Sequence, residues 1–321
     1  MSETCKVGFQ NSRATAIAAL TLAGSLWGTA FLFGKIAFRE MSVSTNVELR
    51  FCFGSLVLLP LLFRRTRRFT RHDFWTMLLA SVVGIPFQFL IQFKGLALTT
   101  VSHASLMVST LPVLLALSAV FFLHEKLRLF EWGVLLSSTL GAVLISVSRT
   151  SQGPQPSIRG DLLVVLSMIA AVVLTLLTKR LMNVYDPTYV TVSMILSGTM
   201  FLMIWTVILE RPRFTFSWRA WVAVAAQGVL ATAMAYRLWN WGMARLPAAK
   251  AGIFFNVEPL VGTLLGVIFL DEKLGSLTIL GGAMIIGGAV YFSTRASASG
   301  EPSASVEQQR PEQDEQEVSA S

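Results

Sequence analysis

The sequence has little charge, few cysteines and no compact catalytic motif. Charged residues make up 14% of its 321 residues, whereas hydrophobic residues make up 54%. An ordinary soluble domain carries about 25% charged residues, so this surface could not cover the apolar material in water. The composition therefore argues against a soluble enzyme, a disordered protein or a nucleic-acid-binding domain, and it predicts a polytopic membrane protein.

Redox and metal chemistry have few candidate residues. Cys5 lies in a polar leader and Cys52 in an apolar run, so no disulfide framework is expected. The chain has no Gly-x-Ser-x-Gly, Cys-x-x-Cys or Gly-x-Gly-x-x-Gly sequence, and His124-Glu125 lacks the second histidine of a zinc-protease helix. We expect no metal site, no cofactor and no enzymatic activity. Without a nucleotide-binding loop, transport would draw on a solute or ion gradient.

Long apolar runs dominate what is present. A helix crosses the hydrocarbon core with about 20 mostly apolar residues, and ten segments qualify: 14–37, 45–63, 74–94, 101–123, 130–148, 160–182, 188–209, 218–243, 248–270 and 277–294. Runs such as 111–123 are apolar on every side, which favours helices over the alternating strands of a barrel. The predicted fold class is all-α, with ten transmembrane helices.

Composition also divides the chain and orients it. We predict a cytoplasmic leader (1–13), two five-helix units (14–149 and 160–294), a linker (150–159) and a disordered acidic cytoplasmic tail (295–321). With the N-terminus inside, the inner segments carry 13 Lys and Arg residues and the outer loops carry 8. Positive charge is retained on the cytoplasmic side, which predicts cytoplasmic termini in the plasma (inner) membrane.

The sequence matches itself at a shift of 147 residues. The segments 95–127 and 242–274 align without a gap and agree at 11 of 33 positions, including Pro112 with Pro259 and Glu125 with Glu272. Because each half holds five spans, the second half must cross the membrane in the opposite sense. Such inverted repeats are typical of transporters that expose a midplane site alternately to each side. Duplication for assembly alone is the alternative.

Several short segments resemble a known family. The first copy has SLWGTAF at 25–31, LRF at 49–51, Pro112 and FLHEKL at 122–127; the second has Pro259 and FLDEKL at 269–274. These segments resemble the EamA repeat of the drug/metabolite transporter superfamily. The resemblance implies ten helices, a cavity shared by both repeats and movement of small organic solutes or drugs. A membrane-embedded lipid-modifying enzyme and a non-transporting scaffold remain alternatives.

Ionisable residues inside the spans are the first functional candidates. Glu258 lies about ten residues, hence about 15 Å, into the ninth span, near the middle of the bilayer. A carboxylate there costs a few kcal/mol unless it is protonated or paired, so Glu258 is a candidate for coupling transport to protons. A structural tie to a neighbouring helix is its alternative. His103 is a second coupling candidate, although a lone histidine is more often structural.

Polar and aromatic residues inside the spans predict a substrate cavity. The candidate lining residues are Trp27, Gln88, Gln92, Tyr236, Trp239, Asn240 and Asn256. Gln88 and Gln92 share a helix face because they are four residues apart, whereas Asn256 could equally link two helices. Lys35, Glu48 and Arg50 are predicted near the outer surface, as ion-pair or snorkelling residues. The expected partners are the lipid bilayer, a small organic solute and protons; a homodimer stays open, and nucleic acid is not expected.

Overall fold

The computed structural model describes residues 3–63, 68–98, 107–147, 157–209, 215–270 and 275–298. Within these ranges every regular element is helical, and the helices form ten segments. The all-α prediction is confirmed. Seven of the helical stretches are long and apolar enough to cross a membrane, and three more are apolar helices of 10–17 residues.

The first repeat contains five of these segments. They are α1 (Glu3–Ala37), α2 (Val43–Leu58, continued by the 3-10 turn Leu59–Phe63), α3 (Arg71–Val82 and Gln88–Leu98, joined by the π turn Val83–Phe87), α4 (Leu111–Phe122) and α5 (Leu129–Val147). Helix α1 already begins at Glu3, so most of the predicted leader continues the first span.

The second repeat has the same order of elements. They are α6 (Ile158–Met182), α7 (Pro187–Leu209), α8 (Trp218–Ala226 and Ala235–Met243, joined by the π turn Gln227–Met234), α9 (Ala248–Ala251, the 3-10 turn Gly252–Asn256 and Val257–Leu270) and α10 (Ser276–Ala298). The predicted acidic tail lies almost entirely outside the described residues.

Irregular turns interrupt α3, α8 and α9 in the interior of the bundle. The π turns of α3 and α8 overlap when the chain is shifted by 147 residues, so both repeats carry the same break. In α9 a 3-10 turn precedes Glu258, and Pro259 occupies the first turn of the helix that follows. Proline is tolerated there because that N–H has no intrahelical partner. The break in α9 therefore comes before Pro259.

Helices of each repeat pack against helices of the other repeat. Helix α3 packs on α6 as α8 packs on α1, and α4 packs on α6 as α9 packs on α1. Helix α2 packs against α7, and α5 against α10. This pattern is what a two-fold relation between the repeats would produce, and with five spans in each half it is compatible with an inverted arrangement.

Matched glycines allow the close approach of these helices. A Cβ on Gly95 of α3 would lie 2.8 Å from the carbonyl oxygen of Gly160 in α6. A Cβ on Gly242 of α8, the residue 147 positions later, would lie 2.9 Å from the carbonyl oxygen of Ala16 in α1. Each glycine thus places backbone against backbone across the boundary between the repeats.

Polar contacts join the connections at one end of the bundle. The Glu125 carboxylate accepts hydrogen bonds of 2.8 Å from the backbone N–H groups of Ala248 and Ala249, where α9 begins. Lys179 Nζ donates to the carbonyl oxygens of Met243 and Leu246 at 2.6 and 2.8 Å. These side chains satisfy backbone groups that helix ends leave without partners, and they join α4 to α9 and α6 to α8.

Candidate functional site: the central cavity

A cavity lies between the two repeats. Its volume is about 140 Å³. Its described lining comes from every helix except α5 and α10: Trp27, Ala30, Arg50, Gln88, Phe89, Gln92, Val108, Leu111, Met168, Ala171, Leu174, Thr175, Thr178, Met194, Tyr236, Trp239, Asn240, Phe255 and Glu258.

One side of the cavity is aromatic. Trp27 of α1 stacks on Phe255 of α9, with ring centroids 5.4 Å apart and planes 11° apart. Trp239 of α8 lies 4.0 Å from Phe255 and 5.2 Å from Trp27, and Tyr236 meets Trp27 edge-on at 5.5 Å. We call this cluster of four rings the aromatic wall. Offset and edge-on ring contacts of this kind stabilise one another beyond simple burial, so the wall presents a preformed apolar surface.

The opposite side is aliphatic and polar, and we call it the amide wall. It consists of Gln88 and Gln92 of α3, Val108 and Leu111 around the start of α4, and Leu174, Thr175 and Thr178 of α6. The Gln88 side chain is buried, and its Oε1 has no hydrogen-bond partner. Both threonine hydroxyls instead donate to carbonyl oxygens of their own helix. Gln88 therefore leaves an unused acceptor on this wall.

Arg50 is the basic residue of the described lining. Its guanidinium lies over the rings of Phe51 and Phe89, at 5.0 and 5.1 Å from their centroids. Its Nε is buried and makes no hydrogen bond. Arg50 thus lines the cavity, and its position near the outer surface stays a prediction. Helix α2 begins at Val43, so Arg50 lies about 10 Å along the helix, and from there its long side chain reaches the cavity.

Glu258 is the acidic residue of the described lining. It lies in the first turn of the helical segment that follows the 3-10 turn of α9, about midway along that span. Glu258 and Arg50 line the same cavity, but no ion pair within 4.0 Å joins them. Two opposite charges from different repeats therefore face the same space without neutralising each other in direct contact.

The other sequence candidates fall in three places. Asn240 lines the cavity and donates to Thr191 Oγ1 at 2.9 Å. Asn256 is absent from the lining: its Nδ2 donates to Ser138 Oγ at 3.1 Å, which corresponds to the alternative role of linking two helices. Lys35 is exposed and Glu48 is buried, and a pair between them stays a prediction. His103 lies outside the described residues.

Some lining residues were missed by the sequence analysis. Phe89, Phe255, Val108 and Leu111 carry no polar group that would single them out in an apolar span. The repeat could have found two of them, since a shift of 147 residues relates Phe89 to Tyr236 and Leu111 to Glu258; Val108 and Phe255 correspond only to each other. Tyr236 and Glu258 thus each mark a lining position in the first repeat.

Comparisons with known proteins agree with the repeat. The model of the EamA-like transporter family matches residues 14–147 and 158–294. The uncharacterized transporter YetK of Bacillus subtilis is 26% identical over 274 residues, covering 83% of each chain. The biotin transporter of Escherichia coli K12 is 24% identical over 272 residues, covering 84% of this chain and 89% of that protein.

A solved crystal structure has the same fold. It superposes with a TM-score of 0.77, covers 90% of this chain and all of its own, and is 21% identical in sequence. At that identity the likeness concerns the fold alone.

Proposed function

The chain belongs to the EamA-like transporter family, and from that premise we propose that it is a secondary transporter that exports small organic metabolites or drugs in exchange for protons. The family members matched are named as transporters, and several are named as transporters of biotin, which supports a small metabolite as the solute. The chain is a multi-pass membrane protein. We place it in the plasma (inner) membrane with both termini in the cytoplasm, from the distribution of Lys and Arg.

The observation that carries the proposal is the charged cavity between the repeats. A cavity lined by both repeats can open to either side if one repeat tilts against the other. Polar and charged groups inside the bundle, such as the buried Gln88 and the half-buried Arg50 and Glu258, are costly in a membrane protein that serves only as a scaffold. These groups can bind a solute or a proton in the cavity. A transporter therefore explains their presence better than a scaffold does.

We assign proton coupling to Glu258. It combines a depth near the middle of its span with direct access to the cavity. A carboxyl group can carry one proton, and the neutral form is far less costly in a low-dielectric site than the charged form. Proton binding and solute binding at one cavity would couple their movements. A lipid-modifying enzyme would instead gather several acids or histidines for its chemistry, and Glu258 is the acidic group of the described lining.

The test is flux through purified protein in sealed vesicles, with and without a pH gradient. Amino acids, nucleosides, organic acids and cationic drugs serve as solutes. We expect accelerated flux for at least one class, driven by the gradient. Glu258→Gln should abolish the driven component, whereas Glu40→Gln, an exposed carboxyl group outside the cavity, should leave it unchanged. Flux that ignores the gradient in the unaltered protein would remove the coupling assignment, and no flux for any class would favour the scaffold.

A further inference from the structure

Arg50 is a half-buried cation with a buried Nε, and its hydrogen-bonding capacity is partly unused. Two phenyl rings hold its guanidinium at 5.0 and 5.1 Å, and Nε has no partner. A buried donor without a partner is rare because it forfeits the hydrogen bonds it made in water. A guanidinium offers its donors in a planar fork that matches a carboxylate. The free donor therefore indicates a ligand that brings an acceptor, and an anionic acceptor best.

The charge balance of the cavity favours an anion over a cation. Arg50 and Glu258 are the charged residues of the described lining, and neither closes an ion pair. They are not equivalent, however, because a guanidinium keeps its proton in proteins whereas a carboxylate can be neutralised by one. The permanent charge of the site is thus the positive one. A single cation suits a monoanion better than a phosphate ester with two charges.

The remaining lining defines what else the ligand must carry. The rings of Trp27, Trp239 and Phe255 line the cavity and give an apolar or aromatic body a surface to pack against. Gln88 Oε1, a buried acceptor without a partner, would accept a hydrogen bond from an N–H or O–H group of that body. A compact body is required, since the cavity volume is about 140 Å³.

We propose that the cavity selects small organic monocarboxylates, with the carboxylate bound by Arg50 and an apolar or aromatic body placed against the aromatic wall. This inference rests on the proposed function and names the substrate class of the same site. Glu258 competes with the ligand for Arg50 when it is ionised and stops competing when it is protonated. Arg50 is then the residue that determines specificity for the head group.

The proposal is tested by binding to the purified full-length protein in detergent at pH 7. Three probes share one body and differ in the head group: 3-phenylpropanoate, 3-phenylpropan-1-ol and 3-phenylpropan-1-amine. Titration calorimetry gives their dissociation constants. We expect the acid to bind about tenfold more tightly than the alcohol, the gain typical of a hydrogen bond to a charged group, and the amine to bind no better than the alcohol.

Variants separate the role of Arg50 from a general loss of structure. Arg50→Gln should remove the tenfold preference for the acid while the alcohol still binds, which also reports that the cavity is intact. Glu258→Gln should tighten binding of the acid because a competing carboxylate is gone. If Arg50→Gln does not fold, the three probes on the unaltered protein and on Glu258→Gln still decide the matter.

Two results would overturn the proposal: equal binding of the three probes, or tightest binding of the amine, which would make Glu258 the dominant charge. Absence of binding by all three would overturn it as well. Because binding is measured without a gradient, the two proposals can fail separately. A protein that binds the acid but gives no flux in vesicles contradicts the transport function and leaves the ligand class standing.

Discussion

The cavity lies between two groups of three helices that are built alike but lined differently, and α2 and α7 add one lining residue each. Helices α1, α8 and α9 pack together as α6, α3 and α4 do, yet the first group carries the aromatic wall and the second carries the amide wall. The shift of 147 residues relates Trp239 to Gln92 and Trp27 to Leu174, all of them lining residues. The comparison teaches that the duplicated backbone supplies the frame, whereas divergence between the copies supplies the chemistry.

The charges follow the same rule. Glu258 corresponds to Leu111, and Arg50 corresponds to Ser197, whose hydroxyl donates to Met77 Sδ at 3.9 Å. Each repeat therefore contributes one charge that its counterpart lacks. In a symmetric cavity each charged residue would face a second residue of the same sign. Like charges in one cavity repel each other. The divergence allows opposite charges to face one space.

Truncating a side chain of the aromatic wall should destabilise the protein far more than truncating the corresponding side chain of the amide wall. Trp239→Ala should lower the free energy of unfolding by about 3–5 kcal/mol because a buried indole leaves a cavity among its neighbouring rings. The corresponding Gln92→Ala should change it by about 0.5 kcal/mol, as substitutions at half-exposed positions do. The readout is the fraction of protein that stays monodisperse in detergent after heating. Equal losses would mean that the two walls do not differ in packing.

The matched glycines of the two repeats should be similarly sensitive to an added methyl group. Gly95→Ala and Gly242→Ala should each destabilise the fold, by about 1–3 kcal/mol, because both add a methyl group against a carbonyl oxygen. Gly133→Ala in α5 is the control, since nothing lies within 4 Å of the Cβ position there. The same heating assay compares the three variants. A large loss at one glycine alone would show that the repeats do not pack alike.

The N-terminal caps of α3 and α8 have different partners, and the difference should have a small effect on stability in acid. Thr70 and Ser217, again 147 residues apart, cap the two helices with their side chains. The backbone N–H of Thr70 donates to the Tyr185 hydroxyl at 3.0 Å, whereas that of Ser217 donates to the Glu40 carboxylate at 2.6 Å. The hydroxyl and the backbone N–H of Ser217 lower the pKa of Glu40 from its usual 4.5. Acid should therefore weaken the Glu40 contact.

The sign follows from that lowered pKa. Because the folded state favours the ionised carboxyl group, its stabilisation is complete above pH 4.5 and is lost as the pH falls through the lower folded value. We expect the melting temperature to drop slightly more between pH 5 and pH 3 in the unaltered protein than in Glu40→Gln. The effect is small because Glu40 is exposed to solvent. Identical acid sensitivity in both would contradict the assignment.

Hydropathy and the repeat were enough to predict the fold. The spans follow from runs of apolar residues, and the pairing of the halves follows from the shared shift. Trp27, Gln88 and Tyr236 were chosen because polar or bulky groups deep in a span need an interior position, and the structure brings them to one cavity. Whether they contact a solute stays a prediction.

Arg50 shows where prediction from the sequence stops. Counting residues from the end of a span measures depth along one helix, but it does not measure the reach of a long side chain or the height of the cavity beside it. Asn256 shows that the sequence also does not fix the direction in which a side chain points around its helix. A 3-10 turn has three residues per turn and not 3.6, so the helical face of Asn256 cannot be read from spacing without knowing that the turn is there.

The contact between α5 and α10 has a consequence for how the chain can change. A Cβ on Gly141 would lie 2.5 Å from the Gly281 carbonyl oxygen, and a Cβ on Gly281 would meet the Gly141 carbonyl oxygen in return. Neither glycine can gain a side chain while the other helix stays where it is. These two glycines, one from each ancestral copy, are therefore mutually constrained, and the seam they form is a place where the halves must evolve together.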